Sequence, residues 1–380
     1  MEVTGAFRIP LFDLNYDKEE EDALLRVLRS RWISQGPETE AFERDFARFT
    51  GSKYAVAVAN GTAALHLSYL LAGIGPGDEV IVPSFTFIAT VTPLLWIGAR
   101  PVFADIDSLK NLNISRRTVE PLVTERTKAV VFVHFAGFTD GIEELRDFCS
   151  GVGCVLIEDA SHAHGSRVKG KHAGTFGLLG AFSLFSNKNL AVGEGGMIIT
   201  GNEEIHRKAK LLRSHGMTRL AWDKIRGGVS DYDVVELGFN YRMNELQAAL
   251  GRVQLLKLEA ANRRRRKLVK IYREALKDVV LIPFEDYENS ANYIFPIILP
   301  EGVEREKAAL FLHDRGIQTS HHYRPVHLMS LFRKTMGTGE GLLPVTEEAG
   351  RRELTLPLYP GMREEDVHFV AESIREFIGR

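Results

Sequence analysis

Between residue 40 and about residue 200, short apolar runs alternate with stretches of helical pattern; the runs fall at 54–58, 80–82, 101–103, 129–133, 155–157, 181–184 and 197–200. That alternation predicts an α/β fold with a mostly parallel sheet covered by helices, in which ligands bind at the carboxyl ends of the strands. Thr62, Phe87, Asp159 and Ser183 all stand at the end of such a run or just past it.

The stretch Phe182-Ser183-Leu184-Phe185-Ser186-Asn187-Lys188-Asn189-Leu190 runs into Gly193-Glu194-Gly195-Gly196 and puts one lysine on an apolar, glycine-rich loop. The run before it, Val155-Leu156-Ile157, ends in Glu158-Asp159. A lysine can hold a cofactor aldehyde only through its deprotonated amine, so its site must disfavour the ammonium form. A carboxylate across the ring, here Asp159, would keep a pyridine nitrogen protonated and electron-withdrawing. Singly, such a lysine is usually solvated and such an acidic pair usually caps a helix. Together, and in this order, they point to pyridoxal 5'-phosphate (PLP).

The phosphate end lies upstream. Residues 53–59 read as a strand, and Asn60-Gly61-Thr62-Ala63-Ala64-Leu65 as a turn opening a helix that continues through Leu71. A helix start after a strand directs unpaired N–H groups and a positive dipole end at one spot, which suits a phosphate, although an ordinary capped helix reads the same way. Phe85 and Phe87, past the next strand, both qualify by type as a ring stacked on the pyridine, and spacing does not choose between them.

These blocks resemble the DegT/DnrJ/EryC1/StrS sugar aminotransferase family, with the fold-type-I PLP architecture, over nearly the whole chain. The likeness also takes in Trp32-Ile33-Ser34-Gln35-Gly36-Pro37, Ser214-His215-Gly216-Met217, Gly238-Phe239-Asn240-Tyr241-Arg242-Met243 and Leu356-Pro357-Leu358-Tyr359-Pro360. It implies that Lys188 carries the cofactor, that Asp159 partners the pyridine nitrogen, and that Gly61, Thr62, Ala63 and Ser183 cradle the phosphate. Phe87 becomes the stacking ring, and Asn240 reaches the phosphate in a neighbouring subunit. His162 stands near the ring hydroxyl, where many members carry glutamine. Trp32, Ser34, His322 and Tyr323 are implied to line the substrate site. A dehydratase branch has histidine in place of the lysine, so Lys188 argues for transamination.

Composition narrows the remaining classes. The 380 residues, 44% apolar and 26% charged, suit a globular protein with a large PLP-binding domain over 1–250 and a smaller C-terminal α/β domain over 251–380. In the latter, 293–299 and 318–323 read as strands and 305–314 and 367–377 as helices. A net charge of −2 gives no bulk attraction to nucleic acid or anionic membrane. The run Arg263-Arg264-Arg265-Arg266 reads as a solvated helix face. The histidines of Ser320-His321-His322-Tyr323-Arg324-Pro325-Val326-His327 lack a neighbouring carboxylate or thiol at ligand spacing, so no metal is expected. Cys149 and Cys154 fit no zinc or redox motif, and neither the first residues nor any later run has the apolar length of a signal or a span, so a cytoplasmic protein is expected.

The expected activity is transfer of an amino group from an amino acid, glutamate, to a nucleotide-linked keto-deoxysugar, with C4 favoured over C3, by a homodimer with shared active sites. The rivals are a sugar dehydratase, a transaminase of non-sugar substrates and a PLP-binding regulator without turnover.

Overall fold

A computed structural model describes residues 7–219 and 231–379; residues 1–6, read above for a targeting signal, lie outside the described residues. All seven apolar runs are strands of one sheet. They are β1 (Tyr54–Val58), β2 (Glu79–Pro83), β3 (Arg100–Ala104), β4 (Thr127–Val133) and β5 (Val155–Asp159), then, past the short hairpin of β6 (Arg167–Val168) and β7 (Lys171–His172), β8 (Leu179–Ser183) and β9 (Gly196–Thr200). The spatial order is β1-β9-β8-β5-β4-β2-β3. β9 runs antiparallel to both of its neighbours, and the other pairings are parallel. Every strand except β9 therefore ends at the same edge.

The runs were legible because the sheet is covered: β2 and β9 are buried at every position, which favours continuous apolar runs, Val80-Ile81-Val82 and Met197-Ile198-Ile199, over alternation. The helix Gly61–Leu71 packs on β8 and β9 and is itself buried from Ala63 to Tyr69, so its pattern is apolar nearly all round. Asn60 caps it by accepting the Ala63 N–H at 2.8 Å. The turn before it lies against β9 so closely that a Cβ on Gly196 would stand 2.3 Å from the Asn60 carbonyl oxygen.

The helix Glu245–Leu276 opens with a reciprocal capping box between Asn244 and Gln247. It runs unbroken through residue 250. Ala248, Leu255 and Leu258 join the apolar cluster of the large sheet, whereas Leu268, Val269, Tyr272 and Leu276 join a second cluster with Ile9, Phe295, Leu312, Leu354 and Ile374. That second cluster surrounds the antiparallel pair β10 (Phe295–Ile298) and β11 (Glu353–Leu356), flanked by the helices Arg305–His313 and Glu364–Ile378.

Two expectations need correction. Arg265 is not part of a solvated face: it is 4% exposed, because the helical period places it with Asn262, Leu268 and Val269 on the buried side, while Arg263 alone in the run keeps most of its side chain in solvent. Residues 318–323 form no strand. Ser320 makes one bridge to Thr355, and then the His322 N–H turns to the Glu353 carboxylate at 2.7 Å, so the ladder stops.

Candidate active site

A cavity of about 430 Å³ opens where the parallel strands end, and β1, β2, β5 and β8 each deliver a wall of it. Gly61 and Thr62 come from the helix start after β1, Phe87 from the turn after β2, Asp159 and His162 from the end of β5, and Ser183 and Lys188 from the end of β8 and its loop. Of the two aromatics that spacing left open, Phe85 is 1% exposed and stacks on Phe135, whereas Phe87, the one the resemblance implied, is 56% exposed and faces the cavity.

The lysine loop is pinned from behind. The Lys188 N–H donates to the Phe185 carbonyl at 2.9 Å, and the adjacent Asn189 side chain donates to Asn262 Oδ1 at 2.9 Å and to the Ala291 carbonyl at 2.8 Å while accepting from Arg265 Nε at 3.2 Å. Lys188 keeps partial exposure through the cavity. The protein around it nevertheless removes enough water to push its amine down to about 7, against the opposing pull of the Asp159 charge. A substantial share of an amine so placed is available as a base or nucleophile at neutral pH.

The far wall is a chain of oxygens. Asp159 is 5% exposed and accepts from Thr90 Oγ1 at 2.8 Å and from the Ser161 N–H at 3.2 Å, and Thr90 Oγ1 meets Thr86 Oγ1 at 2.7 Å. His162 Nδ1 accepts the Ala136 N–H at 3.3 Å, and its Nε2 meets the Tyr323 hydroxyl at 3.1 Å. Burial, then the positive Lys188, hold this imidazole well below its ordinary value, so it is neutral. With Nδ1 accepting, its proton sits on Nε2 and is donated to Tyr323, which leaves the tyrosine O–H free to act as a donor.

The residues present fit a PLP molecule. A buried amine of lowered basicity faces the same space as a fixed carboxylate, and at the phosphate end a Cβ on Gly61 would stand 2.7 Å from Ser183 Cβ, so only glycine lets the helix start and Ser183 close on one spot. Ala63 is buried and its N–H already serves Asn60, so Gly61, Thr62 and Ser183 are the residues on that wall. His322 and Tyr323 line the cavity as well. Asn240, Trp32 and Ser34 do not: Asn240 is exposed and bridges to Ser214, Ser34 is exposed, and Trp32 Nε1 donates to the Gln35 carbonyl at 3.2 Å. Sequence reading missed Thr90 and Tyr293, which line the cavity from the 3₁₀ turn after β2 and from the segment leading into β10. Thr90 stands three residues past Phe87, in the segment that follows β2; Tyr293 had no local signal.

Comparison with known proteins gives one answer. The DegT/DnrJ/EryC1/StrS aminotransferase family matches residues 15–375. The chain is 40% identical over 369 residues, 95% of each chain, to the spore coat polysaccharide biosynthesis protein SpsC of Bacillus subtilis. It superposes with a TM-score of 0.89 on Helicobacter pylori PseC, an aminotransferase involved in the biosynthesis of pseudoaminic acid, at 30% identity over 98% of this chain and 99% of that one. Streptococcus pneumoniae Spr1654, solved in PLP and PMP forms, is similar at 27% identity with TM-scores of 0.87 and 0.88, over 98% of this chain and 98% and 97% of the two.

Proposed function

The chain belongs to the DegT/DnrJ/EryC1/StrS aminotransferase family, a family of PLP enzymes that includes sugar aminotransferases, and on that premise, with Lys188 in the lysine position, we propose that it aminates the ketone of a nucleotide-linked deoxysugar, at C4 in preference to C3, with glutamate as donor. The bound cofactor supplies an electron sink for the carbon that loses or gains a proton. Lys188 Nζ, whose lowered basicity keeps a substantial share of it as the free amine at neutral pH, takes the proton from the donor's α-carbon and returns one to the sugar carbon that receives nitrogen. Asp159, fixed by Thr90 and Ser161, would partner the ring nitrogen of the bound cofactor. Gly61, Thr62 and Ser183 would hold its phosphate, Phe87 would pack on its ring, and His162 would serve its hydroxyl.

The observation that carries the sugar assignment is the chemistry of the wall beyond Lys188. Thr86, Asn187, His322 and Tyr323 offer hydroxyl, amide and imidazole groups beside the aromatic faces of Phe87 and Tyr293, which suits a neutral polyhydroxylated ring. The similarity to SpsC supports a polysaccharide setting. We place the enzyme in the cytoplasm as a homodimer, in which a second copy brings Asn240, Trp32 and Ser34 to this cavity. A panel of UDP-, dTDP- and GDP-linked ketosugars, incubated with glutamate and scored for amino sugar by mass spectrometry, tests the acceptor. Amination of a simple keto acid with none of the panel aminated would sink the sugar assignment and leave the transaminase.

A further inference from the structure

The wall that His322 contributes is backed by two residues to which the activity assigns no part. β11 places Glu353 and Thr355 on one face, since residues two apart along a strand point the same way. Both are fully buried. Thr355 Oγ1 lies 2.5 Å from Glu353 Oε1 and 2.8 Å from His322 Nδ1, and Glu353 Oε2 accepts the His322 N–H at 2.7 Å. His322 Nε2 makes no hydrogen bond among the described residues, and the ring lines the cavity. The order is carboxyl, hydroxyl, imidazole, cavity.

A threonine hydroxyl has one proton to give. With Glu353 ionised, Thr355 must donate to Oε1, so it can only accept from His322, whose proton then sits on Nδ1 and whose Nε2 shows the cavity a lone pair. With Glu353 protonated, its proton must lie on Oε1, because Oε2 receives a backbone N–H. Thr355 then accepts from Glu353 and donates to Nδ1, and His322 shows the cavity an N–H.

We propose that Glu353 and Thr355 are positioning residues that set which ring nitrogen of His322 bears the proton, and so whether this wall of the sugar site accepts or donates a hydrogen bond. The conversion balances as the loss of one proton. The Oε1 proton passes to Thr355 Oγ1, the threonine proton to His322 Nδ1, and the Nε2 proton leaves into the cavity; the negative charge is left on Glu353 and the ring is neutral throughout. Burial, then repulsion from the protonated forms of Lys188 and His321, holds the His322 imidazole down at about 3, so it does not take up a second proton near neutrality. Burial pushes the Glu353 carboxyl up to about 8, against the hydrogen bonds from Thr355 and His322 and the charge of Arg305 on the helix Arg305–His313; Tyr323 also feels Glu353, and His162 feels His322.

The inference rests on His322 as a wall of the acceptor site, but its test needs no sugar. Long-range ¹H–¹⁵N spectra of the histidine rings in the holoenzyme, with the His322 signals assigned by their loss in His322→Gln, report the tautomer from pH 6 to 9.5. The expected result is a change from an Nε2-bound to an Nδ1-bound proton as pH rises, with a midpoint near 8. Glu353→Gln should abolish the change: its oxygen accepts the His322 N–H, its amide donates to Thr355, and the Nε2-bound form persists. Thr355→Val should also abolish it, and Thr355→Ser should retain it. One unchanging His322 tautomer in the wild-type enzyme, or the same step in Glu353→Gln, overturns the proposal; the wild-type titration decides even where a variant does not fold.

Discussion

Lys188 Nζ stands 4.2 Å from the centroid of the Tyr293 ring, so the amine meets an aromatic face contributed by the segment before β10. A ring face attracts an ammonium ion, and Asp159 does the same by its charge. Burial outweighs both, which is why the amine falls to about 7.

The cofactor-free protein should become more stable as pH rises from 7 towards 10. Its folded lysine titrates near 7 and the unfolded one near 10.5, so between those values the unfolded chain binds more protons and stability climbs with pH; below 7 the cost of the buried charge is present in full. Lys188→Met removes that cost. Thermal melts of both cofactor-free proteins should show the variant several degrees higher at pH 7, with the gap closing by pH 10. A gap that does not change with pH would show that Lys188 is not held in its neutral form.

Asp159→Asn should lower turnover by about 10²–10³-fold, the scale of losing one preorganised electrostatic partner. The more telling effect is on pH. Asp159 raises the Lys188 amine, so its neutral replacement should move the acid limb of kcat, which reports the complex in which the donor amine has displaced Lys188, to lower pH. An acid limb of kcat that stays in place, or moves up, contradicts the coupling.

What was legible in the chain follows from burial. Strands covered on both faces carry continuous apolar runs, so all seven announced themselves, and the residues at and just past their ends were already site candidates. Phe85 and Phe87 have the same chemistry, so spacing did not separate them; the family resemblance pointed to Phe87, and the structure stacks Phe85 on Phe135. Arg265 was misread because four consecutive arginines resemble a surface, while the helical period turns one of them inward. Residues 318–323 have the pattern of a strand, but a buried carboxylate, Glu353, competes for the backbone of His322. Such competition is tertiary and leaves no local trace.

Gly61→Ala should loosen the phosphate end without touching a charged group. The new Cβ would stand 2.7 Å from Ser183 Cβ and 3.1 Å from the Ser183 Cα, so part of the conflict is with backbone. Overpacking of this kind costs about 1–3 kcal/mol. A lower melting temperature and a PLP dissociation constant raised roughly tenfold or more are the expected outcomes, measured by calorimetry and by cofactor fluorescence. Unchanged PLP affinity would show that the approach of Gly61 to Ser183 does not form the phosphate seat.

Mixing two impaired variants tests whether the site is shared. Asn240 lies outside the cavity of its own chain, on an exposed segment bridged to Ser214, whereas Lys188 lies inside it. In a dimer whose second copy supplies Asn240, a Lys188→Ala subunit paired with an Asn240→Ala subunit has one site lacking both groups and one site lacking neither. With Lys188→Ala reduced by roughly 10²–10⁴-fold or more through loss of its proton transfer, and Asn240→Ala weakened in cofactor binding, random exchange should restore about a quarter of wild-type turnover. The estimate follows because half of the dimers are hybrids and each hybrid has one intact site of two. Subunit exchange confirmed by mass spectrometry with no recovery of activity would place Asn240 in its own subunit's chemistry, or in none.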